Sequence, residues 1–191
     1  MTIENDKLNQ SEKILLAAFK CLSSRGYANV SMRDIADEAG VVLSQLTYYF
    51  KNKEGLFKEV VKMMTNKYLQ EIEESLKREK TPKGRILSLT KYFKKLLNHN
   101  PELFKLLYDF TGLALWSPAF SKLLRELFKE LSNMIEKYII NNLQIKEIKG
   151  YSPKALSKLI LGAVLGTAIQ EILDNGDNPG ETLNAVGILF E

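Results

Sequence analysis

The chain is poor in the residues on which most catalytic and cross-linked proteins depend. Its 191 residues include one cysteine, one histidine and one tryptophan. The single cysteine, Cys21, excludes an intrachain disulfide and fits a reducing compartment. It sits among Leu16, Ala17 and Leu22, where packing is expected rather than reactivity. The single histidine, His99, stands at a helix end in Asn98-His99-Asn100-Pro101, a place for capping or exposure. No metal-ligand spacing, nucleophile–base set or glycine-rich phosphate loop accompanies it, so no catalytic residue, metal or cofactor is expected. The longest apolar run, Leu159 to Ile169, is too short to span a bilayer, and the N-terminus lacks a signal peptide's charged start and apolar core. No membrane partner and a cytoplasmic location follow as expectations.

Strand-like alternation, internal repeats and low-complexity segments are also missing, which leaves helical periodicity alone. The five prolines each follow a residue that caps helices: Thr81-Pro82, Asn100-Pro101, Ser117-Pro118, Ser152-Pro153 and Asn178-Pro179. Proline is tolerated in a first turn because its missing N–H has no intrahelical partner there. These pairs predict helices near 82–98, 101–115, 118–143, 153–174 and 180–190. A first helix is predicted from Ser11 to Ser24. A long one, capped by Asn52, is predicted through Phe57, Val60, Val61, Met64, Tyr68, Ile72 and Leu76. The fold class is therefore all-α, with about nine helices.

The most informative stretch runs from Ser31 to Lys53. Ile35, Ala39, Val41, Leu46 and Tyr49 are spaced to face the contact between two short crossing helices and their support. Ala36 falls at their closest approach. Gly40 falls at the turn, where positive φ is commonly needed. Ser31 with Asp34 three residues on is a capping-box start. The segment reads as a helix-turn-helix, whose second helix enters the DNA major groove. An αα-hairpin that only packs is the other reading of the same pattern.

From Ile14 to Lys58 the chain resembles the DNA-binding domain of the tetracycline-repressor (TetR) family of bacterial regulators. The residues that carry the likeness are Arg25-Gly26-Tyr27, Ser31-Met32-Arg33-Asp34-Ile35-Ala36, Ala39-Gly40-Val41 and Tyr48-Tyr49-Phe50-Lys51-Asn52-Lys53-Glu54. Val42 replaces the usual polar cap, Ser44 a common Gly or Ala, and Thr47 a common aromatic. The resemblance implies a helix-turn-helix domain over 1–53 and a helical effector-binding and dimerisation domain over 54–191. It also implies that Ser31, Arg33, Thr47, Tyr48 and Lys53 grip phosphates. The bases are then left to the exposed Val42, Leu43, Ser44 and Gln45. Gln45 suits adenine, and Leu43 or Val42 a thymine methyl, so an operator leaning towards A·T is expected.

Net charge is +4, and the excess lies from Lys51 to Lys95 rather than in the motif. A solvated helix face and a DNA-facing role both account for it. Helix 118–143 has a one-sided apolar stripe, whereas 153–174 is apolar nearly all round from Leu159 to Ile169. Such a helix is either buried inside one chain or covered by a second subunit. Leu159, Gly162, Ala163, Gly166, Ile169, Val186 and Leu189 are the expected interface, and the resemblance implies a four-helix bundle between two subunits on a palindromic operator. It further implies an apolar small-molecule effector among the middle helices, for which Phe104, Tyr108, Thr111, Trp116, Phe120, Tyr138 and Gln170 are the candidates. The expected protein is thus a dimeric repressor released from double-stranded DNA by that effector. The alternative is a regulator of the same fold without a small-molecule switch, governed by abundance or a protein partner.

Overall fold

The computed structural model describes residues 9–142, 150–174 and 181–185, and no strand occurs among them. Its α-helices are α1 (Gln10–Arg25), α2 (Met32–Ala39), α3 (Leu43–Tyr49), α4 (Lys53–Arg78), α5 (Pro82–His99), α6 (Pro101–Trp116), α7 (Pro118–Tyr138), α8 (Pro153–Asp174) and α9 (Glu181–Ala185). The chain is all-α, as the periodicity indicates. Four of the five prolines open helices; Pro179 lies outside the described residues.

Local chemistry explains the boundaries. Asn9 and Glu12 form a reciprocal capping box at the start of α1, and Ser31 with Asp34 does the same for α2. Asn52 Oδ1 accepts from the Gly55 amide at 2.8 Å, and Thr81 Oγ1 accepts from the Gly84 amide at 3.0 Å. Helix α7 stops at Tyr138, short of the expected 143, and tightens into a 3₁₀ turn over Ile140–Asn142. The paired asparagines there disfavour helix interiors because their amides compete for backbone groups.

The chain separates into two compact units. One comprises residues 1–66 with Lys105–Leu123, the other Lys67–Phe104 with Leu124–Glu191. The boundary expected after residue 53 falls inside the first unit, which also recruits the end of α6 and the start of α7. Helix α4 is continuous through both.

In the first unit, Ile14, Ala18, Leu22, Val30, Ile35, Leu46, Leu56 and Phe57 are buried. Phe57 is also the centre of an aromatic cluster. Its ring centroid lies 4.9 Å from Tyr27, 5.7 Å from Phe110 and 5.4 Å from Phe120. Edge-on pairs of this kind add about 0.5–1.5 kcal/mol each beyond the burial of the rings. Residues distant in sequence thereby complete one core.

The second unit holds its helices with apolar contacts and satisfied polar ones. Phe93 and Phe104 pack at 6.1 Å. Arg85 donates to the carbonyls of Glu79 and Tyr138, and the Tyr138 hydroxyl donates to Glu73 Oε1 at 2.6 Å. The Tyr92 hydroxyl donates to Glu71 at 2.8 Å; burial and that carboxylate push the phenol's ionisation upward. Helix α8 buries Ser157, Ile160, Leu161, Val164 and Ala168. By length and composition the whole 22-residue helix passes as a membrane span, with a mean hydropathy of 1.5 over 18 residues. Its ends carry Lys154, Lys158, Glu171 and Asp174, which confines the uncharged stretch to its middle.

Candidate nucleic-acid interface

Helix α3 has seven residues, too few to persist alone in water. It is held by Leu46, which is fully buried, while the residues around Leu46 face outward. Gly40 adopts φ +66° and ψ +35°, the left-handed conformation that turns the chain from α2 towards α3. Val42 begins α3 with no side-chain cap, so the amides of its first turn keep no side-chain acceptor.

On the outward side, Val42, Leu43, Ser44, Gln45, Thr47, Tyr48 and Tyr49 are all exposed. Val42 is 67% and Tyr48 83% exposed, unusual values for large apolar groups on a folded protein. The four expected base readers therefore share one short exposed helix start. Among the described residues, Arg33, Ser44 and Gln45 make no side-chain hydrogen bond or ion pair. Arg33, at the start of α2, is likewise exposed.

Other expected contacts are already engaged. The Ser31 hydroxyl donates to Asp34 Oδ2, and Ser31 Oγ accepts from the Asp34 amide at 3.2 Å. Thr47 Oγ1 lies 3.0 Å from the carbonyl oxygens of both Leu43 and Ser44, to which its single proton is directed. Lys53 sits 4.2 Å from the Tyr27 ring centroid, a cation–π contact. Partial burial draws its ammonium below the ordinary value, while the carboxylates of Asp109 and Asp34 pull the other way. Hydrogen bonds from Ser31, helped by Arg25, hold Asp34 down to about 2.

A second feature of this unit has no signal in the sequence. Gly26 ends α1 at φ +77° and ψ 159°, a region that side-chain-bearing residues avoid. That turn presents the Tyr27 amide to Asp109 Oδ2 at 2.6 Å, across 82 residues of chain. A carboxylate at a helix C-terminus opposes the helix dipole, and the nearby Lys53 charge offsets it. The end of α6 is thus fastened to the end of α1, and the same Tyr27 ring carries Lys53.

The family description that matches residues 14–60 is bacterial regulatory proteins, tetR family. The chain belongs to the TetR family. The fatty acid metabolism regulator protein of Bacillus subtilis (strain 168) is 25% identical over 166 residues, 85% of this chain and 84% of that one. The fold is shared with the transcriptional regulator FadR from Bacillus subtilis in complex with stearoyl-CoA. That structure has a TM-score of 0.78 and 23% identity, over 93% of this chain and 96% of that one. The fatty acid degradation regulator FadR from Bacillus halodurans has a TM-score of 0.79 and 17% identity, over 96% and 95%. This TetR-family chain is a DNA-binding regulator, not an enzyme.

The remaining candidates of this TetR-family chain are dispersed. Tyr108, Thr111, Trp116 and Phe120 belong to the first unit, Phe104, Tyr138 and Gln170 to the second. Phe120 is committed to the aromatic cluster, and Trp116 is 88% exposed at the end of α6. Thr111 donates to the Leu107 carbonyl, and exposed Gln170 to that of Gly166. On α8, Leu159 is 65% exposed, Gly162 is exposed, and Ala163, Gly166 and Ile169 are half-buried. Val186 and Leu189 lie outside the described residues.

Proposed function

We propose that this TetR-family protein is a homodimeric, cytoplasmic repressor that grips a palindromic operator and releases it when a long-chain acyl thioester binds. The observation that carries the DNA half is the exposed start of α3, with Val42, Leu43, Ser44 and Gln45 presented together and held from beneath by Leu46. Arg33, Tyr48 and Lys53, with the exposed Lys51, supply phosphate contacts; Ser31 and Thr47 serve chiefly to fix their own helices. Base readout without Arg or Lys favours A·T-rich half-sites.

Two subunits place two such helices in successive major grooves about 34 Å apart. The support for pairing is α8, whose Leu159, Gly162 and Gly166 face has no cover in the single chain; a Cβ at either glycine would meet nothing within 4 Å. The effector class is drawn from relatives that regulate fatty acid metabolism, one of them solved with stearoyl-CoA. Helix α4, continuous through both units, gives a covalent route for a shift in one to reach the other. Differential affinity of the effector for two conformations drives the release.

Selection from random duplexes, followed by titration of palmitoyl-CoA onto the selected operator, tests this. A palindrome with A·T-rich half-sites, released by palmitoyl-CoA at micromolar concentration, is expected. A guanine-dominated core defeats the readout. Unchanged operator affinity defeats the effector and leaves a regulator governed by abundance or a protein partner.

A further inference from the structure

Helices α7 and α8 border a half-open groove of about 540 Å³, within the size range of small-molecule sites. Its lining is sorted by charge. Arg125 and Lys129 of α7 face Lys154 and Lys158 of α8 across it, with no carboxylate among the lining residues. The acids of α7 in this stretch, Glu126 and Glu130, each follow one of those cations and stand outside the lining. On each helix the two cations are four residues apart, a spacing at which like charges repel. Two such pairs facing one another raise a positive potential that an anion would relieve.

Between the cations the groove is apolar, with Phe128, Leu161, Gly162 and Leu165. A side chain at Gly162 would meet nothing within 4 Å, so close helix packing inside this chain does not account for the glycine. Cations at the rim and an apolar interior match a ligand with a multiply charged head and a hydrocarbon chain. A monocarboxylate needs one cation; four on two helices suit several phosphates. A second copy of the chain would bring the same four cations, so charge complementarity disfavours it as the occupant.

We propose that this groove binds a long-chain acyl thioester of a phosphorylated carrier such as coenzyme A, with its phosphates on Arg125, Lys129, Lys154 and Lys158 and the start of its chain on Phe128, Leu161 and Leu165. The choice of thioester rests on the effector reading above; the location rests on the groove. The ligand spans the gap between the two helices, so its head neutralises repulsion that persists in the free protein.

Calorimetric titration of the full chain with palmitoyl-CoA below its micelle concentration, with coenzyme A and with palmitate tests the site. For the wild type, palmitoyl-CoA should bind most tightly and lose affinity as salt rises. Lys129→Glu with Lys158→Glu should weaken it at least tenfold while changing palmitate binding less than threefold. Lys129→Gln with Lys158→Gln should give an intermediate loss and serves if the reversal disturbs folding, which circular dichroism checks. Wild-type affinity in both variants, or no binding of palmitoyl-CoA to the wild type, overturns the proposal. Operator release measured in parallel separates the two readings. Groove-dependent binding without release rejects the effector role and keeps the site, whereas release of the folded variants at wild-type concentrations rejects the site and keeps the effector.

Discussion

Helices α3 and α8 both show large apolar side chains to water, but they are supported in opposite ways. The seven-residue α3 hangs on one fully buried anchor, Leu46, and starts without a side-chain cap. The 22-residue α8 buries five positions along its length and still leaves Leu159 at 65% and Leu173 at 73% exposure. A short helix that presents a surface borrows its order from the unit beneath it. A long one has interior contacts to spare, so its outer face is free to vary. Exposed apolar area is thus tied to local folding at α3 and to association at α8.

Breaking the α3 anchor should have the largest effect. Leu46→Ala removes a fully buried side chain and is expected to destabilise the DNA-gripping unit by about 2–5 kcal/mol, read by urea unfolding, with operator affinity falling in step. An unfolding midpoint equal to the wild type would show that α3 stands on contacts other than Leu46. The second test changes α8 from outside. Leu159→Lys with Leu173→Lys should raise the dimer dissociation constant at least tenfold by sedimentation, about 1.4 kcal/mol or more, while the helical circular dichroism signal is kept. Loss of that signal instead would place these residues in the fold of the single chain.

The smallest effect sharpens the comparison at the start of α2, which supports α3. Asp34 is held near 2 against an ordinary 3.8. A depressed carboxylate contributes stability that is fully present above the unfolded value and fades as pH falls through the folded one. Wild-type stability should therefore decline between about pH 4 and 2, and Asp34→Asn should flatten that decline relative to neutral pH. A variant with an unaltered acid limb in pH-jump unfolding would assign the decline to other carboxylates.

What was readable in the chain was local. The Ser31–Asp34 box, the turn at Gly40 and the capped prolines each depend on neighbours within a few residues, and each stands where its chemistry directs. The apolar-all-round character of α8 was equally visible, because periodicity reports how much of a helix avoids water without saying what covers it. Long-range assignments were not readable. Phe110 and Phe120 look like any aromatic at helical spacing, and nothing near them names Phe57 and Tyr27 as partners. Trp116 looks like pocket lining, yet the end of α6 leaves it to solvent. The groove cations look like a solvated face, since a lysine four residues from another carries no mark of what lies across from it.

The bond from Tyr27 to Asp109 bears on how the protein is made. The helices that meet DNA are the first to leave the ribosome, but their core includes Phe110 and Phe120, which follow more than 40 residues after Asn66. Until those residues emerge, Phe57 lacks two of its ring partners and the Tyr27 amide lacks its acceptor. Synthesis from the N-terminus thus delivers the DNA-binding element early and closes it late. A fragment ending at residue 66 would hold the whole motif but not the core, so exchanging such fragments between regulators should move the reading surface without its foundation.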